Sequence, residues 1–128
     1  MDPISDMLIR IKNAQRAGHD TALVPYSQLK QEIAKVLEKE KFIEKTEKRG
    51  RRIKKFLEIF LQPKNSVRGV NNIKIISRPS RRLYSGYREL KIYNSRRGII
   101  LVSTSKGVMS DKDAYKAKLG GQLIAEVW

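Results

Sequence analysis

The basic residues of this chain are concentrated in its middle. Residues 45–97 hold seventeen Lys and Arg against three Asp and Glu, an excess of fourteen, while residues 1–44 balance at seven of each and residues 98–128 carry four against three. Unpaired cations are costly to take out of water, so the charged side chains of this stretch belong at the surface. The sequence around them is strand-like and turn-like. The whole chain carries a net charge of +15 over 128 residues. That excess goes beyond what solubility requires and points to a polyanionic partner. A membrane surface would call for a basic amphipathic helix or a lipid anchor, and the cations are not arranged that way. Nucleic acid fits better.

The remaining composition narrows the chemistry. There is no cysteine and a single histidine, His19, which excludes disulfide scaffolds, zinc ribbons and thiol catalysis. At 40% apolar content, 128 residues can bury a core as one domain or as two small lobes. The longest aliphatic run is IILV at 99–102, and the N-terminal MDPISDMLIR contains Asp2 and Asp6. Neither a signal peptide, a membrane span nor a transit peptide is expected, so the reading is of a soluble intracellular protein without a cofactor.

Periodicity gives the elements. Ile4, Met7, Leu8 and Ile11 fall on one helical face behind Asp2 and Pro3, and Gly18 supplies a stop. TALVP at 21–25 reads as a strand. Ser27 caps a second helix with a stripe of Leu29, Ile33, Val36 and Leu37, and Lys30, Lys35 and Lys39 are assigned to its other face. Segments 42–48 and 53–61 flank the turn RGRR as an antiparallel hairpin with a cationic tip. QPKNSVRG then reads as a connector, placing a boundary between residues 1–64 and 65–128. Beyond it, 70–77, 81–84 and 98–105 are strand-like, Ser110 and Asp113 form a capping box for a short helix ended by Gly120 and Gly121, and QLIAEVW closes as a strand. The expected class is α+β: a small α/β lobe of two helices with a three-stranded sheet, then a mainly β lobe with one short helix.

The segment LVSTSKGVMSD at 101–111 carries the recognition chemistry. Ser103, Thr104 and Ser105 bring donors and acceptors on short stems, Lys106 adds charge, and Gly107 lets backbone approach closely. Such a loop can read base edges and 2′-hydroxyls in the wide minor groove of an RNA helix. The same hydroxyls can also serve only their own backbone.

With these pieces in place the chain resembles the bacterial-type small-subunit ribosomal protein eight family along nearly its whole length. The likeness is carried by DPISDMLIRIKNAQ, SQLK at 27–30, ISRPSRRLY at 76–84, and LVSTSKGVMSD with LGGQ. Ala14, Lys41 and Ser80 stand where the family usually has glycine, and Gln122 where it commonly has glutamate. The resemblance implies a primary rRNA-binding protein that docks as a monomer on the central domain of small-subunit rRNA in the cytoplasm and helps the platform assemble. It implies neighbouring small-subunit ribosomal proteins as partners, no membrane, and in some members repression of their own operon mRNA. By resemblance the STSKG loop, Ser103 to Gly107, is the principal contact.

The other candidates rest on their chemistry. Tyr84, flanked by Arg81 and Arg82, suits base or sugar stacking with phosphate held alongside, and Arg78 suits phosphate. Gly120 and Gly121 allow backbone approach next to Gln122. Arg10, Asn13 and Lys30 sit on polar helix positions within reach of phosphate, and Lys54 and Lys55 at the hairpin tip offer counterion-releasing contacts. Enzyme readings are weak. Ser103 and Lys106 satisfy S-x-x-K without its partner motifs, Gly120 to Gln122 spell a release-factor tripeptide in a capping position, and His19 has no catalytic company. The rival is a basic RNA or DNA chaperone that binds without regard to structure.

Overall fold

The computed structural model of the chain describes residues 2–64, 66–93 and 98–128. Residues 94–97, within the stretch expected to lead into the 98–105 strand, lie outside the described residues, as do Met1 and Asn65. The chain separates into two compact units, Pro3–Asn71 and Asn72–Trp128.

The first unit follows the order α1 (Pro3–Ala17), β1 (Thr21–Pro25), α2 (Gln28–Lys39), β2 (Ile43–Arg51), β3 (Lys54–Leu61). Its antiparallel sheet has the order β1-β3-β2. Along β3, Leu57, Ile59 and Leu61 are buried on one face, where α1 lies against β1 and β3 and α2 against β2. Met7, Leu8 and Ile11 of α1 are fully buried, as their spacing requires. The stripe of α2 is turned from the one expected. Leu29 is exposed, whereas Lys30, Ile33, Ala34, Val36 and Leu37 are buried. Lys30 is therefore not on the open face with Lys35 and Lys39; at 7% exposed, its stem is used for packing. The hairpin turn also lies later than RGRR. Arg51 pairs with Lys54, which leaves Arg52 and Ile53 as the turn. The connector after β3 belongs with this unit, where Gln15 Nε2 donates to the Pro63 carbonyl at 2.9 Å and Val70 is buried.

The second unit contains β4 (Ile73–Ile75), β5 (Tyr84–Ser85), α3 (Leu90–Tyr93), β6 (Ile99–Thr104), β7 (Gly107–Ser110), α4 (Asp111–Lys116) and β8 (Gly121–Val127). Its antiparallel sheet runs β4-β8-β6-β7, with β5 paired to the start of β8. Leu90, Ile100, Val102, Ala114 and Leu123 form a core joined by Tyr87 and Met109. Ile99 and Leu101 are buried too, so IILV is an uninterrupted run because β6 is covered on both faces. The one-turn α3 is an addition to the expected elements, too short to show a period.

Three helices end in the same motif with different residues. After α1, Gly18 at φ +79 donates to the Gln15 carbonyl and His19 to that of Ala14. After α2, Lys41 at φ +65 donates to Glu38 and Phe42 to Leu37; after α4, Lys118 at φ +57 donates to Tyr115 and Leu119 to Ala114. Each is a Schellman closure. Lysine thus occupies two sites that suit glycine, and α4 is ended by Lys118 rather than by Gly120 and Gly121. The N-caps agree with the sequence: Ser27 accepts from the Lys30 amide and Ser110 from that of Asp113, both at 3.1 Å.

A left-handed lysine carries a Cβ penalty of about 1–2 kcal/mol that glycine avoids at some entropic cost. Lys41→Gly and Lys118→Gly are each expected to stabilise their unit by about 0.5–1 kcal/mol, measured by urea denaturation. Unchanged or lower midpoints would contradict this account of the two closures.

Candidate nucleic-acid interface

Strand register assembles the site in the second unit. Ser103 on β6 faces Val108 on β7 and Gln122 on β8, and Gln122 faces Tyr84 on β5. Residues directly opposite in an antiparallel sheet share a face, so Val108, Ser103, Gln122 and Tyr84 form one row across four strands. With strands about 4.8 Å apart, Tyr84 and Ser103 stand roughly 10 Å from each other with Gln122 between. Tyr84 is 68% exposed, so its ring is available for stacking rather than used as packing.

The β6–β7 turn lies at the end of this row. Thr104 pairs with Gly107 across it, leaving Ser105 and Lys106 exposed at the crown. The Thr104 hydroxyl is committed to the turn: Oγ1 donates to the Gly107 carbonyl at 2.7 Å and accepts from the Lys106 amide at 3.1 Å. Gly107 takes φ +107, a backbone region that strongly disfavours a Cβ. The Ser103 and Ser105 hydroxyls, by contrast, make no hydrogen bond among the described residues. The three hydroxyls therefore divide their work, with Thr104 setting the turn and Ser103 and Ser105 presented outward.

Gly120 and Gly121 act through space rather than through conformational freedom. Neither has a positive φ, but a Cβ on Gly120 would collide with the Ser85 carbonyl and one on Gly121 with the Ser103 carbonyl. Their bareness lets β8 press against β5 and β6 and brings Gln122 into line with Tyr84 and Ser103. A bulge helps. Leu101 pairs with Ala125 but Val102 with Leu123, which leaves Ile124 outside the ladder, its carbonyl taking the amides of Ile76 and Ser77.

Arg78 and Arg82 are exposed on the loop leading to Tyr84. Arg78 and Arg81 exchange backbone hydrogen bonds at 2.9 Å around Pro79 and Ser80, and buried Ser77 accepts from the Leu83 amide at 3.0 Å. The loop is thus held at its base while its guanidinium groups reach solvent. Arg81 is exposed with them.

The first unit's candidates are placed less uniformly. Arg10 is tied down, donating to the Leu23 carbonyl at 2.9 Å and to Asp6 at 3.1 Å, so it braces α1 against β1. Asn13 is exposed and lines with Arg10, Ala14, Ala17 and His19 an open groove of about 450 Å³. Lys54 and Lys55 are exposed at the hairpin tip, and Lys30 is buried. Part of the basic excess is spent on folding: Lys48 lies 4.2 Å from the Tyr26 ring centroid, Lys45 lies 4.6 Å from that of Phe60, and Arg49 pairs with Glu47 and Glu58.

One cationic cluster escaped the sequence reading. Lys91, Lys112 and Lys116 line, with Leu90, Asp111 and Tyr115, a groove of about 240 Å³, and Lys91 Nζ lies 5.1 Å from the Tyr115 ring centroid. The four-residue spacing of Lys112 and Lys116 was the available signal, but nothing local reveals that α3 brings Lys91 to them.

Comparison with known proteins gives the family. The family model for ribosomal protein S8 matches residues 2–128. The chain is 44% identical to the small ribosomal subunit protein uS8 of Bacillus mycoides, over 99% of this chain and 97% of that protein. It is 41% identical to the protein of the same name from Dictyoglomus turgidum over the same shares, and 41% identical to that of Sorangium cellulosum over 99% and 98%.

Thr104→Val removes both turn bonds at nearly constant volume. It is expected to destabilise the second unit by about 1–2 kcal/mol and to raise hydrogen exchange at the Lys106 amide, measured by NMR. Unchanged exchange there would show that the turn holds its shape without the hydroxyl.

Proposed function

The chain belongs to the ribosomal protein S8 family and is a structural constituent of the small ribosomal subunit, not an enzyme; from that premise we propose that it is a primary rRNA-binding protein. It binds the central domain of small-subunit rRNA, helps the platform assemble, and adjoins other small-subunit proteins in the cytoplasmic ribosome. The observation that supports this reading most is the row of Tyr84, Gln122 and Ser103 ending at the Ser105–Lys106 crown. It combines an exposed ring, an amide and hydroxyl groups along one row of the sheet with a cation at the turn that ends it.

The physical division of labour follows. The ring gives stacking that any base can accept. Ser103, Ser105 and Gln122 can donate and accept, so they distinguish one arrangement of 2′-hydroxyls and base edges from another. Arg78, Arg82, Lys106 and, in the first unit, Lys54 and Lys55 supply phosphate contacts that raise affinity for any RNA and weaken with salt. Asn13 adds a polar contact from α1, while Arg10 contributes by holding that helix. An mRNA folded like the rRNA site would present the same groups to the same face, which is how repression of its own operon would operate.

The test is binding to a folded central-domain rRNA fragment and to an unrelated RNA of equal length over a range of salt. Ser105→Ala is expected to weaken the cognate fragment about tenfold and leave the unrelated RNA unchanged. Equal losses on both would favour a chaperone indifferent to structure. Reversing Lys54 and Lys55 to Glu is expected to weaken both RNAs and to reduce the salt slope by about one to two units; an unaltered slope would remove the hairpin tip from the interface.

A further inference from the structure

The crown of the β2–β3 hairpin carries two features that folding does not explain. Ile53 is 96% exposed, so a branched aliphatic side chain buries almost nothing at a turn position where a polar residue would serve as well. Beside it, Arg52 takes φ +54, a conformation that two-residue hairpin turns ordinarily assign to Gly, Asn or Asp. The turn keeps an arginine and an isoleucine against its own preferences, and Arg51, Lys54 and Lys55 complete a ring of four exposed cations around the apolar tip.

A single exposed isoleucine is ordinary on a broad surface. At the end of a projecting hairpin, between cations on both strands, it has the composition of a wedge. Proteins that open a base stack use an aliphatic or aromatic side chain against the bases while Arg and Lys hold the backbone on either side. A protein pocket is a poorer fit, because seating Ile53 in it would desolvate four cations. RNA meets both needs at once, phosphates for the ring and an unstacked base for the tip.

We propose that the hairpin tip is a second RNA contact of the chain, in which Ile53 packs against an unstacked base at an irregular step of a helix while Arg51, Arg52, Lys54 and Lys55 grip the flanking phosphates. The inference rests on the rRNA-binding reading and adds to it a contact that is not electrostatic. An apolar wedge releases no counterions, so its loss lowers affinity equally at every salt concentration, whereas loss of a cation changes the slope.

The experiment compares the full chain with Ile53→Ala and with a Lys54→Ala/Lys55→Ala double variant, binding to complete small-subunit rRNA across a salt series. Ile53→Ala is expected to bind about tenfold more weakly with an unchanged salt slope, and the double variant to flatten the slope. Probing of 2′-hydroxyl reactivity is expected to show a nucleotide that becomes hyperreactive with the wild-type chain and not with Ile53→Ala. Because Ile53 is exposed, the urea midpoint should not move, so a binding loss reports on the contact. Superimposable binding curves for Ile53→Ala and wild type, with the Ser105→Ala loss still present, would overturn the wedge and leave the rRNA reading standing. A loss at Ile53→Ala on a chain that shows no preference between rRNA and unrelated structured RNA would keep the wedge and overturn that reading instead.

Discussion

The row of Tyr84, Gln122 and Ser103 in the second unit depends on how closely the backbone of β8 lies against its neighbours. At Gly121 the strand sits where a Cβ would overlap the Ser103 carbonyl, and at Gly120 where one would overlap that of Ser85. Those approaches, with the bulge at Ile124, fix the register that sets Gln122 between Ser103 and Tyr84. Without it the row has no shared face, since a slip of one residue in a strand sends every side chain to the other side. The core below, from Leu90 to Leu123, holds that register by burial.

Two kinds of interaction are carried by different elements of this molecule. Hydroxyls and an amide that can discriminate are set on a short turn and strands of the second unit, where Thr104 and Gly107 fix the backbone. Cations that cannot discriminate are carried on loops and hairpin ends: Arg78, Arg81 and Arg82 on one, Arg51, Arg52, Lys54 and Lys55 on another. The three non-glycine residues with positive φ among the described residues, Lys41, Arg52 and Lys118, are all cations. Each keeps a positive charge at a corner where glycine would relax the backbone. At Lys41 and Lys118 that charge also sits beside the free carbonyls of a helix end, where it is electrostatically favoured.

Much of the fold was legible because its signals are local. The α1 stripe, the Ser27 and Ser110 caps, the TALVP strand and the uninterrupted IILV run each depend on residues within a turn or two of one another, and each appears where the pattern puts it. The misreadings share a cause. Lys30 belongs to the buried stripe of α2 because the sheet, not the helix, decides which flank is covered, and Leu29 is left in solvent. The hairpin turn moved from RGRR to Arg52 and Ile53 because cross-strand register outweighs the presence of a glycine. From their place after α4, Gly120 and Gly121 suit helix termination, but their necessity comes from carbonyls of Ser85 and Ser103 that are remote in sequence. The STSKG hydroxyls were visible as a group, whereas the different tasks of Thr104 and Ser105 appear only with the hydrogen bonds in place.

On the reading proposed above, RNA is recognised by the face running from Tyr84 to the Ser105–Lys106 crown. Hydrogen exchange of the full chain, free and bound to the folded central-domain rRNA fragment, tests it most directly. Binding is expected to slow exchange most at the amides of Ser105 to Gly107 and of Tyr84 and Ser85, in a pattern that persists as salt is raised. Slowing confined to the Arg78–Arg82 loop and the hairpin tip, and lost with added salt, would contradict it and leave charge alone as the basis of binding.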